Sequence, residues 1–336
     1  MRVDREGQTV HESAHGVTRY DGPAAMTTDA WFDLASLTKI LGTTPAVMLL
    51  TQCGAIDLEV GLGAYLPDLH PLLAEIPVTY FLNHTSGLAD WHPFYQRIPQ
   101  NLLGTIEAKD DMRRLLSRET LVAAPGTVER YSDIGMGLIG FMVEAVGGQS
   151  LPDFVAAKIL APLAIENLHF GSVAARRELT IAATEDCPWR KRIMCGEVQD
   201  ENAWSAGGCL GQAGMFGTAD GVVRLMEEFR LALRGQGRLF SENIIRRFMR
   251  RNELSTPVSF RYGFDSPSAQ GSSTGQHMSP ETFGHLGFTG VSAWCDPPRA
   301  ITIVLLTNRV HPSRSNEKIR KIRPLIHNAI MEALHT

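Results

Sequence analysis

The sequence predicts an α/β protein of the α+β kind: strands from both ends of the chain share one antiparallel sheet flanked by helices, and a mainly helical block is inserted between them. Three observations carry this prediction. Strand-like runs open the chain, strand-like runs return in its last third, and apolar residues at helical spacing dominate the middle. The expected division places 1–56 together with 255–336 in the sheet layer and 57–254 in the insertion, all within a single unit spanning 1–336. A cleft between the two parts follows from that arrangement.

The elements follow in order. Arg2–Asp4 and Thr9–Val17 flank Glu6-Gly7 and read as a hairpin with a tight turn. At Phe32-Asp33-Leu34-Ala35-Ser36 an apolar helical pattern begins, running to a stop at Gly54 with Pro45 as a kink. Breakers at Leu66-Pro67-Asp68, His84-Thr85-Ser86-Gly87, Ala124-Pro125-Gly126 and Gly147-Gly148 divide the middle into helices and loops. Within it, Gly135–Val146 sets its apolar residues on one helical side, and Leu151–Leu160 forms another amphipathic series. Gly284–Cys295 then reads as a strand, Asp296-Pro297-Pro298-Arg299 as a turn and Ile301–Leu306 as the returning strand. A closing helix from about Ser315 repeats Ile319, Ile322, Ile326 and Ile330, with Pro324 as an irregularity, and packs on the sheet. Asp265–Pro280, rich in Ser and poor in apolar residues, is expected to be a mobile loop bordering the cleft.

Composition bounds the function. With 44% hydrophobic and 20% charged residues among 336, the chain has a core to fill, which excludes disordered and collagen-like classes. The net charge is −4 and basic residues are scattered, so no footprint for nucleic acid exists. No apolar run approaches the ~18 residues of a membrane span, and the charged start MRVDREGQTV is unlike a signal peptide, so the chain as written is expected to be cytoplasmic. Arg2-Val3-Asp4 reads as the tail of a strand, however, and a misplaced start would hide a leader. The five cysteines show no CxxC or CxxH pairing and are expected to be buried free thiols. No metal or organic cofactor is implied. The glycine-spaced stretch 196–217 lacks the Lys and the strand-to-helix setting of a phosphate loop.

Three constellations can carry chemistry. Ser36-Leu37-Thr38-Lys39 is an S-x-x-K motif, in which a hydroxyl and an amine meet across one helical turn, about 5–6 Å between β-carbons. Spacing alone does not discriminate, since Ser315-Asn316-Glu317-Lys318 satisfies the same pattern. Context does: Ser36 opens an apolar helix where Lys39 loses water and gives up its proton more easily, whereas Ser315 opens a charged, solvated one. Tyr131-Ser132-Asp133 precedes a helix and can point a phenol and a carboxyl at a cleft. His285-Leu286-Gly287, followed by Phe288, lies on a late strand whose glycine lets a ligand approach, with a donor side chain two residues before.

In this order, and with the flanking phrases Asn83-His84-Thr85-Ser86-Gly87-Leu88 and Leu305-Leu306-Thr307-Asn308, the three motifs resemble the class C β-lactamase, DD-peptidase and esterase family of penicillin-recognising serine hydrolases. The likeness covers nearly the whole chain. It implies a β-lactamase/transpeptidase-like fold, Ser36 as nucleophile, Lys39 as the group that takes its proton, and Tyr131 as a second acid/base. It also implies an oxyanion hole from the backbone N–H groups of Ser36 and Phe288, and places His285 where many relatives have a Lys for the substrate carboxylate. The stretch 196–217 resembles one in a subgroup of these hydrolases, some joined to glycosidase domains. On that analogy Asp200, Glu201, Asn202 and Trp204 line the cleft.

Two departures shape the expected activity. Asp133 replaces the usual Asn and can hold Lys39 protonated, and His285 in place of Lys weakens attraction for a penicillin carboxylate. A small-molecule ester, amide or peptide is the expected substrate, in the preference order esterase or amidase, DD-peptidase, β-lactamase. Acyl-donor choice is expected to reside in the loops around 90–110 and 265–280. The other reading is a binding or sensor protein for cell-wall peptides that keeps the pocket and has lost turnover.

Overall fold

The computed structural model describes residues 1–22, 24–251 and 258–335. Strands β1 (Arg2–Arg5) and β2 (Gln8–Glu12) form the expected hairpin, joined at Glu6 and Gly7 with φ of 53° and 76°. That is the all-positive pair a two-residue turn needs to match the strand twist. The second strand stops at Glu12 rather than Val17. A two-residue β3 (Phe32–Asp33) follows, and then the first long helix. The irregularity falls just upstream of Pro45: Lys39–Thr43 make a π-helical turn that runs without a break into α1 (Thr44–Gln52), which has Pro45 in its first turn.

The middle of the chain holds α2 (Pro71–Ala74), α3 (Val78–Leu82), α4 (Ile106–Ser117), α5 (Asp133–Gly147) and α6 (Leu151–Val155). Helix α5 is capped by Ser132, whose Oγ accepts from Gly135 N, and ends at Gly148 in the left-handed region. Its ten residues from Ile134 to Val143 are all buried, so it is a core helix apolar on every side rather than a one-sided one.

Short strands lie where only helix and loop were expected: β4 (Leu168–Phe170), the hairpin β5 (Ala183–Cys187) with β6 (Arg192–Cys195), and, after α7 (Glu201–Ser205), β7 (Met215–Gly217). They form a small sheet in the order β3-β7-β4 and the separate β5-β6 pair. The three-residue strands β4 and β7 have no period to read. Helices α8 (Ala219–Ala232) and α9 (Glu242–Phe248) follow. The expected boundary between 254 and 255 lies outside the described residues.

The segment 284–295 is two strands, β8 (Phe283–Leu286) and β9 (Ser292–Asp296), with a turn through Gly287–Gly290 between them, because Gly290 takes φ of 105°. With β10 (Ile301–Leu305) they complete a five-stranded antiparallel sheet in the order β2-β1-β10-β9-β8. Arg2 pairs with Val304 and Arg5 with Ile301, so the two chain ends are joined by backbone hydrogen bonds. Both faces are covered, which is why β10 is buried throughout. Ala293, Cys295 and Val304 face the main core beneath α8, while Val3, Ile301 and Ile303 face Met331 of α10 (Ile319–His335).

That last helix packs on the sheet, but it begins at Ile319, not Ser315, and its isoleucine stripe is not its buried face: Ile322 is exposed, whereas Arg323, His327 and Met331 are buried. The first half of the helix crosses main-chain carbonyls, and Arg323 Nη2 donates to Gly290 O at 3.0 Å, so polar side chains belong there. Among the described residues no single helix is long and apolar enough to cross a membrane. The cysteines are free thiols, but only Cys187 and Cys295 are buried; Cys53 is exposed and the other two are partly buried.

Helix α5 and the segment after α7 meet without side chains between them. A β-carbon on Gly211 would lie 2.0 Å from Met136 O and 2.9 Å from Gly140 N. Gly211→Ala is therefore expected to lower unfolding free energy by about 1–3 kcal/mol, an overpacking cost read from the guanidinium midpoint. An unchanged midpoint would mean that this close approach does not exist.

Candidate active site

Ser36 sits where β3 gives way to helix. Leu34 N donates to Met215 O, the chain turns at Ala35 with φ of 45°, and Thr38 N and Lys39 N donate back to Ala35 O and Ser36 O. A positive φ on alanine needs support. Asp33 supplies it: its Oδ1 accepts from Ala35 N at 2.8 Å and its Oδ2 from Gln199 N at 2.6 Å. Burial pushes the Asp33 carboxyl up to about 6, against the pull of those two N–H groups.

The Ser36 oxygen has two partners. Lys39 Nζ and Tyr131 Oη each lie 2.9 Å from Oγ as donors. Lys39 is fully buried, and its amine also donates to Asp133 Oδ1 at 2.7 Å and Gln212 O at 3.3 Å, 4.8 Å from the centre of the Tyr131 ring. Burial lowers the Lys39 pKa, and the Asp133 carboxylate opposes it without cancelling it. Burial first, and then the charge of Asp133, hold the Tyr131 phenol well above its ordinary range, so it keeps its proton.

The loop after α3 clamps the second motif. Arg130 N donates to His84 O, Ser132 N to His84 Nδ1, Ser132 Oγ to Ala89 O and Asp133 N to Asp90 O. The His84 ring lies 4.7 Å from that of Tyr131 and is kept neutral by burial. The phrase Asn83-His84-Thr85-Ser86-Gly87 thus supports the phenol from behind, a task that nothing in the spacing of its residues announces.

On the opposite side the β8–β9 turn comes against the nucleophile's segment. A β-carbon on Gly287 would lie 2.9 Å from Leu34 O and 3.3 Å from Ala35 Cβ, so glycine permits the approach. Thr289 Oγ1 donates to Asp33 O at 2.8 Å. Among the described residues the N–H groups of Ser36 and Phe288 make no hydrogen bond. His285 lies behind the cleft lining rather than in it. It is buried, its Nδ1 bonds to Leu286 O at 2.6 Å, and burial together with the charge of Lys39 pushes it down to about 3, leaving a neutral ring behind Tyr131.

The cleft above Ser36 has a volume of about 400 Å³ and is lined by Ala35, Ser36, Asp90, Trp91, Tyr131, Asp133, Gln199, Asp200, Glu201, Gln212, Ala213, Phe288 and Arg314. Asp200 and Glu201 are therefore in the lining; Asn202 and Trp204 are not. Asn202 is turned the other way, accepting from Tyr95 N and donating to His92 O, and Trp204 Nε1 donates to Glu197. Burial and the nearby Asp133 push Asp200 up to about 7. The loop 265–280 does not line this cleft; it lies against α10, with Gln276 N donating to Asn328 Oδ1.

Gln212 and Arg314 were not foreseen. Arg314 comes from the loop after β10, where no motif marks it. Its guanidinium reaches Glu185 at 2.5 and 2.7 Å and Glu201 at 2.6 Å. Glu185, Cys187 and Glu201 have ligand atoms close enough together to hold a cation, but Arg314 already occupies the space between the two carboxylates.

Comparison with known proteins bears on the fold and the family. A curated relative from Salmonella agona, named "Putative D-alanyl-D-alanine carboxypeptidase", is 28% identical over 95% of this chain and 80% of its own length. Among solved structures, EstCE1, a hydrolase with promiscuous acyltransferase activity, matches with a TM-score of 0.72 at 22% identity over 96% of this chain and 92% of its own. The penicillin binding protein from Bacillus halodurans matches with 0.73 at 17% identity over 99% and 95%. At these identities the two structures speak to the fold alone. The Beta-lactamase family model matches residues 2–326, nearly the whole chain, and the chain belongs to that family.

Proposed function

We propose that the chain is a serine hydrolase that cleaves an ester or amide through an acyl-enzyme on Ser36. One observation carries this reading: a single hydroxyl oxygen is approached at 2.9 Å by both a buried amine and a partly buried phenol. With Lys39 neutral, the 2.9 Å contact runs from Ser36 O–H to Nζ. As Oγ attacks the carbonyl carbon its proton passes to Nζ, and the oxyanion that forms is met by the Ser36 and Phe288 N–H groups. Collapse breaks the bond to the leaving group, which takes the Tyr131 proton. Lys39 returns a proton to the phenol, and water entering from the cleft releases the acid.

Esters and neutral amides rank first, because neutral His285 offers no charge to a substrate carboxylate and Arg314 is engaged by two glutamates. The name of the Salmonella agona relative puts D-alanyl-D-alanine peptides next. A β-lactam ranks third.

A fluorophosphonate is expected to label Ser36, located by peptide mass spectrometry, and Ser36→Ala to lose about 10³-fold or more of the parent's kcat on p-nitrophenyl butyrate. Equal turnover by Ser36→Ala would remove the assignment. A stable adduct with no turnover on short-chain esters, D-alanyl-D-alanine peptides or nitrocefin would favour the binding or sensor reading.

Asp133→Asn gives a second test. The carboxylate raises the Lys39 pKa, so removing it leaves burial opposed only by the charge of Asp200 and the pKa falls further. The rising limb of the acylation rate against pH is therefore expected to move to lower pH. A limb that stays, or moves up, would show that Lys39 is not the base.

A further inference from the structure

The buried carboxylate of Asp33 has no part in the proton transfers above. It is 3% exposed, and among the described residues no cation is bonded to it. Instead it is tied to three walls of the cleft at once. Oδ1 accepts from Ala35 N, one residue before the nucleophile. Oδ2 accepts from Gln199 N, in the lining contributed by the segment that leads into α7. Its main-chain O accepts from Thr289 Oγ1, in the turn that carries Phe288.

We propose that Asp33 is a positioning residue. Its carboxylate holds Ala35 in the left-handed conformation that presents Ser36. Its carbonyl, through Thr289, sets the distance between the Ser36 N–H and the Phe288 N–H. The inference rests on the acyl-enzyme reading and deepens it, for it assigns the spacing of the oxyanion site to a residue that never meets substrate. Arg309 secures the far side of the same turn, its Nε donating to Phe288 O at 2.8 Å and its N to Thr289 O at 3.1 Å. Movement at Asp33 is thus taken up at the Ser36 side of the pair. A carboxylate suits the task because both of its oxygens accept. The amide of an Asn would turn an NH₂ toward either Ala35 N–H or Gln199 N–H, and one tie would open.

The test is Asp33→Asn, followed by the rate and end-point of fluorophosphonate labelling and by kcat and KM on p-nitrophenyl butyrate. The labelling end-point is expected to stay stoichiometric and KM to hold, while the labelling rate and kcat fall roughly tenfold to a hundredfold, the cost of a small misplacement of reacting groups. A variant that is merely less stable would lose end-point, not rate. A kcat and labelling rate within about threefold of the parent would overturn the proposal. If Asp33→Asn does not fold by circular dichroism, Thr289→Val decides, since it cuts the tie to the turn without touching a charge. A several-fold loss of kcat at unchanged KM supports the proposal, and parental kcat overturns it. If the parent is labelled somewhere other than Ser36, both this inference and the acyl-enzyme reading fall. A parent labelled at Ser36 beside unaffected variants removes only this one.

Discussion

A fully enclosed ammonium or amine is expensive, and much of this molecule is arranged around one. Lys39 has no exposed surface, and its nitrogen is met by oxygens from three separate stretches: Ser36 from its own turn, Asp133 from the start of α5, and the carbonyl of Gln212 from the segment before β7. Each stretch must therefore be brought in closely. The π-helical turn at Lys39–Thr43 widens the helix at this point, and Thr43 Oγ1 donates to Gly211 O, next to the carbonyl that Lys39 uses. Glycine at 211 lets that strand of chain lie directly on α5. Asp133, in the first turn of α5, also has the helix dipole in its favour.

The sheet contributes the other half of the site for a topological reason. The β8–β9 turn ends at the nucleophile because β9 is fixed by β10, which is in turn fixed by β1 at the other end of the chain. The terminal strands therefore set where Phe288 stands, and the helical middle sets where Tyr131 and Asp133 stand. Arg323 and Thr307 both donate to Gly290 O, so α10 and the segment after β10 hold the same turn from behind. The apolar faces of the sheet alone would leave that turn free to shift.

The order and type of the long elements were legible in the sequence because burial on two faces writes a nearly continuous apolar run, as in Ile301–Leu305 with Thr302 its one polar residue, and because a Glu-Gly pair between strand signals leaves few turns open. The meeting of Ser36, Lys39 and Tyr131 was legible as the first two of three motifs in order. What was not legible is orientation. The segment 196–217 was rightly expected at the cleft, yet Gln199, Asp200, Glu201 and Gln212 line it while Asn202 and Trp204 turn away, since α7 has one and a half turns and no periodicity long enough to assign a face. His285 was expected to act as a donor to substrate and is a buried neutral ring. Neighbouring glycines at 284 and 287 allow the strand to lie so close to Trp294 and Ala35 that the imidazole is enclosed. Arg323 and His327 were hidden beneath an isoleucine repeat because the acceptors they serve are main-chain carbonyls, which no side-chain pattern records.

Charge at the cleft decides what it can admit. Asp90, Asp133, Asp200 and Glu201 line it, while the basic side chains are Lys39, enclosed in the floor, and Arg314 at the wall. Asp200 has been pushed up to about 7 by burial and by Asp133, a sign that this space already resists a further negative charge. Arg314 offsets little of it, because Glu185 and Glu201 together outweigh its single charge and hold its Nε and one Nη. A carboxylate brought to the floor would face this excess with His285 uncharged beside it. A neutral acyl group meets no such penalty, and the apolar rings of Trp91 and Phe288 offer it contact.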